Sequence, residues 1–141
     1  METSTEILEK LRRTGLFDWL PQEGVEMFQN CFDLETACLP AGERRDFTGQ
    51  LGLLLSGSLV CGGTVLAPGA LLGAARDGGG RLYPAPFSVS ARQDSEIALW
   101  DGAVLTAVCY RACWFHGRFV LEAEKWQGMD PFERKRFPQT M

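Results

Sequence analysis

The sequence predicts a mainly β domain of the α+β class: an antiparallel β-roll or jelly roll, with short helices before it and a long helix after it. Between residues 34 and 101, glycines recur at short intervals, apolar runs are four to six residues long, and little of the stretch has a 3.6-residue period. Helical spacing of apolar residues is found before this stretch and again after it. Short half-apolar strands must bury one face against a second layer, which favours a roll.

Length and composition indicate a single globular domain. The chain has 141 residues, of which 45% are hydrophobic and 23% charged, so it is long enough to bury a core. We divide it into a helical lead-in (1–33), a β-roll (34–101), a C-terminal helix (102–127) and a tail (128–141). The net charge of −4 gives no general attraction to nucleic acid or to anionic membranes.

The first residues lack the basic and apolar regions of a secretory signal, and no apolar run reaches the length of a membrane span. The cysteines are odd in number and lack CxxC spacing, which is typical of reduced thiols. We therefore expect a cytoplasmic protein without membrane contact. The cysteines are Cys31, Cys38, Cys61, Cys109 and Cys113.

Two helices are expected in the lead-in. Thr3-x-x-Glu6 is a capping-box pattern, and the helix it begins should end at Thr14-Gly15. A second helix is expected from Pro21, because Val25, Phe28 and Phe32 recur at helical spacing.

Seven strands are predicted in the β-roll. The clearest hairpin signal is Gly62-Gly63 between two apolar pairs. Residues 76–81 include three consecutive glycines, so we expect a loop there that is not regular structure and is mobile. The predicted strands are 36–39, 43–48, 51–55, 58–61, 64–66, 86–91 and 96–100.

The last predicted helix carries an apolar seam at steps of three and four residues. Its aromatic bulk exceeds what a helix on a small roll needs, which favours a homodimer interface. The alternative is a helix that packs only on its own roll. The interface candidates are Val108, Ala112, Phe115, Phe119 and Trp126.

Four motifs in order resemble the effector domain of catabolite-activator-type (Crp/Fnr) transcription regulators, which belongs to the cyclic-nucleotide-binding fold. The first is Leu16-Phe17-x-x-Leu20, the family's entry motif. The others are Leu39-Pro40-Ala41-Gly42-Glu43, Leu53-Leu54-Leu55-Ser56-Gly57-Ser58-Leu59 and Leu66-Ala67-Pro68-Gly69-Ala70-Leu71-Leu72-Gly73. The resemblance covers about residues 16–127 and implies a non-catalytic sensor, with DNA contact only through a helix-turn-helix domain absent from this chain.

The sequence departs from the family at the residues that would hold a cyclic nucleotide. Ala74 stands where the family has the Glu that takes a ribose hydroxyl, and Ala85-Pro86 stands where it has Arg and a hydroxyl residue for the phosphate. A phosphate needs a guanidinium or free N–H groups, and Pro86 has no N–H. We therefore expect no binding of cyclic nucleotide in the family manner.

The effector that the resemblance implies is an unidentified small molecule, in a pocket between the roll and the long helix. No cofactor is expected. The candidate ligand-binding residues are Leu72, Gly73, Ala74, Arg76, Arg81, Ala85 and Ser88.

Other chemistry has weaker support. Cys109, Cys113 and His116 share a helix face, but a closed zinc site needs a fourth ligand, so we interpret them as ordinary packing residues and expect no metal. A redox pair of Cys31 and Cys38 has no support beyond their position. Two other classes stay open: a ligand-free oligomerisation scaffold, and a cupin-like metal-dependent protein, for which the strands lack histidines.

Overall fold

A computed structural model describes residues 4–17, 19, 34–79, 81–106 and 114–127. Helix α1 (Ser4–Thr14) precedes ten strands, and helix α2 (Trp114–Gln127) follows them. The strands are β1 (Glu35–Leu39), β2 (Arg44–Phe47), β3 (Gln50–Ser56), β4 (Leu59–Cys61), β5 (Thr64–Leu66), β6 (Leu71–Leu72), β7 (Ala74–Arg76), β8 (Leu82–Pro84), β9 (Phe87–Ala91) and β10 (Ser95–Asp101).

The strands form two four-stranded antiparallel sheets and one hairpin. Sheet I has the order β1-β10-β3-β6, and sheet II has the order β2-β9-β4-β5. Strands β7 and β8 pair with each other. Because the chain passes repeatedly from one sheet to the other, the predicted antiparallel β-roll is confirmed.

The seven predicted strands agree with the structure to within one residue at each end. Gly62 and Gly63 both have positive φ, +57° and +81°, as a two-residue type I′ hairpin turn requires. Strands β6, β7 and β8 were not predicted, because two or three residues are too few to display an alternating pattern.

The central strands of sheet I, β3 and β10, are buried on both faces. On one face, Leu54, Leu72 and Ile97 pack against sheet II. On the other face, Leu51, Leu53, Leu55, Ala98 and Trp100 pack under the helices. The central strand β3 is therefore a continuous apolar run instead of an alternating one.

An aromatic cluster holds α2 and the segment that follows α1 against sheet I. The Trp100 ring lies edge-on to Phe17 and Phe119, at centroid distances of 5.9 and 5.5 Å. Phe17 and Phe119 stack on each other at 5.7 Å. Beside them, the Arg118 guanidinium lies 5.4 Å from the centre of the Trp19 ring. Such aromatic contacts contribute about 1 kcal/mol each beyond the burial of apolar surface, so the cluster fixes α2 relative to the N-terminal segment.

Helix α1 ends as predicted. Thr14 Oγ1 donates to the Leu11 carbonyl at 2.6 Å, and Gly15 follows with a φ of +90°. An ion pair ties the helix to β10, since Lys10 Nζ lies 3.0 Å from both carboxylate oxygens of Glu96. The predicted second helix, from Pro21 through Phe32, lies outside the described residues, as do Thr3 and the tail 128–141.

The prediction of an α-helix from residue 102 was wrong at its start. Gly102–Leu105 form a 3-10 turn, in which the Asp101 carboxylate accepts from the Ala103 N–H at 2.9 Å. The turn closes where Thr106 N donates to the Ala103 carbonyl. An aspartate at an N-cap favours such a local turn. In the described residues α2 begins only at Trp114.

None of the helices that the structure describes has both the length and the apolar character needed to cross a membrane.

The packing of α2 generates a stability prediction. Phe119 is completely buried, whereas Leu121, two residues further on, is 57% exposed. We expect Phe119→Ala to lower the free energy of unfolding by about 4 kcal/mol, because it leaves a cavity beside Trp100. Leu121→Ala, the matched control, should change it by less than about 0.5 kcal/mol. Urea unfolding at two protein concentrations measures both variants. A loss for Phe119→Ala that depends on concentration would contradict its place in the intrachain core.

Candidate functional site

The segment from Leu72 to Ser88, where the ligand-binding candidates lie, begins at the end of β6 and continues through the β7–β8 hairpin into β9. Ala74 pairs with Pro84, and the Ala85 N–H donates to the Gly73 carbonyl at 2.7 Å. The structure therefore brings Gly73, Ala74 and Ala85 together. The Ala85 N–H and the Gly73 carbonyl are hydrogen-bonded to each other and do not face a ligand.

Packing explains Gly73. Its φ is +86°, and a Cβ at this position would lie 2.5 Å from the Gln50 carbonyl oxygen and 2.8 to 2.9 Å from the Phe87 ring. Only a glycine fits this backbone conformation without strain. The glycine is thus required by the contact between β6, β3 and β9, whether or not a ligand is bound.

The tip of the hairpin is closed by an aspartate. Asp77 Oδ1 accepts from the N–H groups of Gly79 and Arg81, at 2.8 and 3.0 Å, and the Asp77 N–H donates to the Arg81 carbonyl at 2.9 Å. The prediction of a loop holds for 77–79 and 81, but Arg76 is the last residue of β7. Two N–H groups that an anion would need already have a carboxylate partner.

The remaining candidates do not converge on one point. Leu72 is buried in the core between the sheets. Ser88 is directed away from that core, and its hydroxyl donates to Asp46 Oδ1 at 2.5 Å. Arg81 is exposed, and the side chain of Arg76 is outside the described part of the structure.

The hairpin and α2 both contribute apolar side chains to one packed cluster. Leu82, Phe119 and Ala123 are buried in it, and Leu71 and Ala74 pack against it. The ligand pocket that the sequence predicted between the roll and the long helix stays a prediction, because residues 107–113 are outside the described part of the chain.

Of the predicted dimer-interface residues, Phe119 requires a correction. It has no exposed surface and lies against Phe17 and Trp100 of its own chain, so it cannot contact a second copy while the core is intact. Val108 and Ala112 lie outside the described residues, as do the side chains of Phe115 and Trp126.

The described residues contain no group of three or more His, Cys, Asp or Glu side chains arranged to hold a metal. Cys31, Cys109 and Cys113 and the side chain of His116 are not among them. Cys38 is an exposed free thiol and Cys61 a partly buried one. Burial raises the pKa of the Cys61 thiol, although a hydrogen bond from the Ser88 backbone opposes the shift.

One concave site was missed by the sequence reasoning. We name it the end cleft: an open cavity of about 420 Å³ lined by Cys38, Leu39, Pro40, Ser56, Asp94, Ser95 and Glu96. Strands β1, β3 and β10 end or begin here, and the β3–β10 register shifts between Glu96 and Ile97. The Asp94 carboxylate accepts from the Ala41 N–H at 2.9 Å. Aspartates are common in turns because they form local hydrogen bonds, so Asp94 alone did not indicate a cleft in the sequence.

The close approach at Gly73 can be tested by substitution. We expect Gly73→Ala to lower the free energy of unfolding by at least about 3 kcal/mol, since it combines a positive φ with overpacking against Phe87. Gly63→Ala is the matched control, with a φ of +81° and no atom within 4 Å of the new Cβ. It should cost only about 1 kcal/mol. Equal losses in urea unfolding would show that packing does not select glycine at position 73.

Comparisons with known proteins give matches at the level of structure. No family model matches the chain, and no curated protein matches it. The chain resembles a Geobacter metallireducens protein named for cyclic-nucleotide binding, with a TM-score of 0.55, 21% identity, and coverage of 83% of this chain and 91% of that one. It also resembles the N-terminal domain of a Streptomyces coelicolor transcriptional regulator, with a TM-score of 0.54, 13% identity, and coverage of 82% and 88%.

A third solved structure, the cyclic-nucleotide binding homology domain of a KCNH channel, matches with a TM-score of 0.52 and 20% identity, over 79% of this chain and 87% of that one. The chain also matches two Clp1p–Pcf11p structures, but it spans only 16% and 17% of their chains, at TM-scores of 0.37 and 0.36. At such low identities a match shows the fold alone. The chain therefore has the fold of cyclic-nucleotide-binding-like domains.

Proposed function

We propose that the chain is a non-catalytic effector-sensing and dimerisation module, of the kind found in Crp/Fnr-type transcription regulators, that does not bind cyclic nucleotide in the family manner and works in the cytoplasm. The fold supports the sensor class, since two similar structures are named for cyclic-nucleotide binding and one belongs to a transcriptional regulator. The observation that argues against binding of cyclic nucleotide is the hairpin at residues 73–86, in which several backbone N–H groups already have partners within the hairpin.

A cyclic nucleotide brings a phosphate that must be met by positive charge or by free N–H groups. In the hairpin, the Ala85 N–H is taken by Gly73, and the N–H groups of Gly79 and Arg81 are taken by Asp77. The next residue, Pro86, has no N–H to offer. An incoming phosphate would therefore compete with internal partners and meet the negative charge of Asp77.

The apolar surroundings of Ala74 also disfavour a ribose at this position. Ala74 packs in the cluster that contains Phe119, at the position where the family resemblance would place a ribose-binding glutamate. A ribose at this position would have to displace apolar side chains, which have no hydrogen bonds to exchange with its hydroxyls. This packing equally favours a ligand-free oligomerisation scaffold, our second candidate function.

Dimerisation is the other part of the proposal. With Phe119 used in the core, the remaining seam candidates are Val108, Ala112, Phe115 and Trp126. Leu121 shows that α2 carries an exposed large apolar side chain outside the predicted seam, and it serves as a control position.

Ligand titration tests the sensor proposal. We expect the melting temperature to stay within about 1 °C of the ligand-free value with cyclic AMP or cyclic GMP at up to about 1 mM, because a ligand that does not bind the native state cannot stabilise it. Calorimetry should show no saturable heat. The control ligand is 5′-AMP, which has the same base and sugar but an open phosphate monoester in place of the cyclic diester. Saturable stabilisation by a cyclic nucleotide and not by 5′-AMP would contradict the proposal.

Sedimentation equilibrium tests the dimer. We expect a mass of twice the 15.6 kDa of one chain, and Phe115→Glu and Trp126→Glu should shift it toward the monomer, since a carboxylate in an apolar interface is costly. Leu121→Glu, the control on the same helix, should leave the dimer intact. Circular dichroism confirms that each variant is folded. A wild-type monomer at all concentrations would exclude this part of the proposal.

A further inference from the structure

The end cleft lies far from the hairpin. In the β3–β10 pair, Glu96 is opposite Ser56 at one end and Asp101 is opposite Gln50 at the other. Gly73 contacts the Gln50 end, whereas Ser56 and Glu96 line the end cleft. At 3.3 Å per residue, the two ends are about 20 Å apart. A ligand in the end cleft would not touch residues 73–86.

The shape of the end cleft suits a small molecule. Its volume of about 420 Å³ is within the range of small-molecule sites. Pro40 supplies exposed apolar wall, and Ser56 and Cys38 add a hydroxyl and a thiol. The register shift at Glu96 widens the strand end, as bulges commonly do beside binding sites.

The charges at the end cleft define which ligand it would accept. The two carboxylates in its lining, Asp94 and Glu96, are oriented by different partners. The Ala41 N–H holds one oxygen of Asp94. The ammonium of Lys10 sits 3.0 Å from both oxygens of Glu96. An ammonium group of the chain itself thus already binds one of the two lining carboxylates, and these three charged groups together carry one negative charge.

We propose that the end cleft binds a small organic ammonium ion, with its apolar part on Pro40 and its charge at Asp94 and Glu96. The ligand competes with Lys10 for Glu96, so that binding loosens the ion pair that ties α1 to β10. This site goes beyond the proposed function, because it requires neither residues 73–86 nor a dimer.

The competition gives opposite effects for two substitutions. The probe is 2-phenylethylammonium, and its neutral counterpart 2-phenylethanol is the control ligand. Asp94→Asn keeps an oxygen for the Ala41 N–H but removes the charge, and should weaken probe binding about fivefold. Lys10→Met removes the internal competitor and should strengthen binding by a similar factor. Asp46→Asn, at an exposed carboxylate on sheet II, should leave the affinity unchanged.

Binding to the full chain is followed by NMR chemical shifts at probe concentrations up to about 10 mM, since a ligand of this size reaches at most modest affinity. Cys38 gives a second readout, because the bound probe should slow its alkylation by iodoacetamide while Cys61 is unaffected. Thermal melting confirms that each variant folds. The proposal is overturned if the alcohol binds as well as the ammonium ion, if neither binds, or if Asp94→Asn and Lys10→Met change the affinity in the same direction. None of these outcomes would alter the result of the cyclic-nucleotide titration.

Discussion

The central strand pair β3–β10 is buried on both faces, and the rest of the structure follows from this constraint. Five consecutive residues, Leu51 to Leu55, have almost no contact with solvent, and the same holds for Ile97 to Trp100. One face is covered by sheet II. The other would expose Trp100 and three leucines to water if α1 and α2 did not cover it. The helices are therefore part of the core and cannot be regarded as appendages of a self-sufficient roll.

The same constraint limits what the hairpin can do. Leu82 of β8 is buried in the apolar cluster under the helices, and Leu71 and Ala74 pack against the same cluster. The polar backbone groups of the hairpin are satisfied locally, by Asp77 at the tip and by the Gly73–Ala85 contact at the base.

Much of the fold could be predicted from local sequence, because turns and short strands have local causes. Paired glycines at 62–63 marked the hairpin, and Thr14-Gly15 marked the end of α1. The 3-10 turn at Gly102–Leu105 could not be predicted, since it depends on a hydrogen bond to the Asp101 side chain and leaves the apolar spacing unchanged. The strands of the β7–β8 hairpin were missed because they have three residues each and, unlike β4 and β5, no two-glycine turn joins them.

The candidate site was only partly accessible to sequence reasoning. The segment around Gly73 could be located from the spacing of its glycines, but its packing against Phe87 and α2 could not. Phe119 was placed on an interface because seam spacing identifies a helix face and does not reveal what covers it. The end cleft was missed because its lining comes from three separate parts of the chain, and only the β1–β10 and β3–β10 registers bring them together.

The ion pair between Lys10 and Glu96 joins residues separated by 86 positions, and this separation affects the order of folding. Helix α1 is synthesised well before Glu96 and before the Trp100 side chain that Phe17 contacts. Until β10 is made, the part of the native surface that β10 contributes is missing for α1 and Phe17. Contacts of such long range make folding slow, and they leave apolar surface open to other chains in the meantime. Burial of α1 and Phe17 is thus completed only when β10 has been made and has paired with β3.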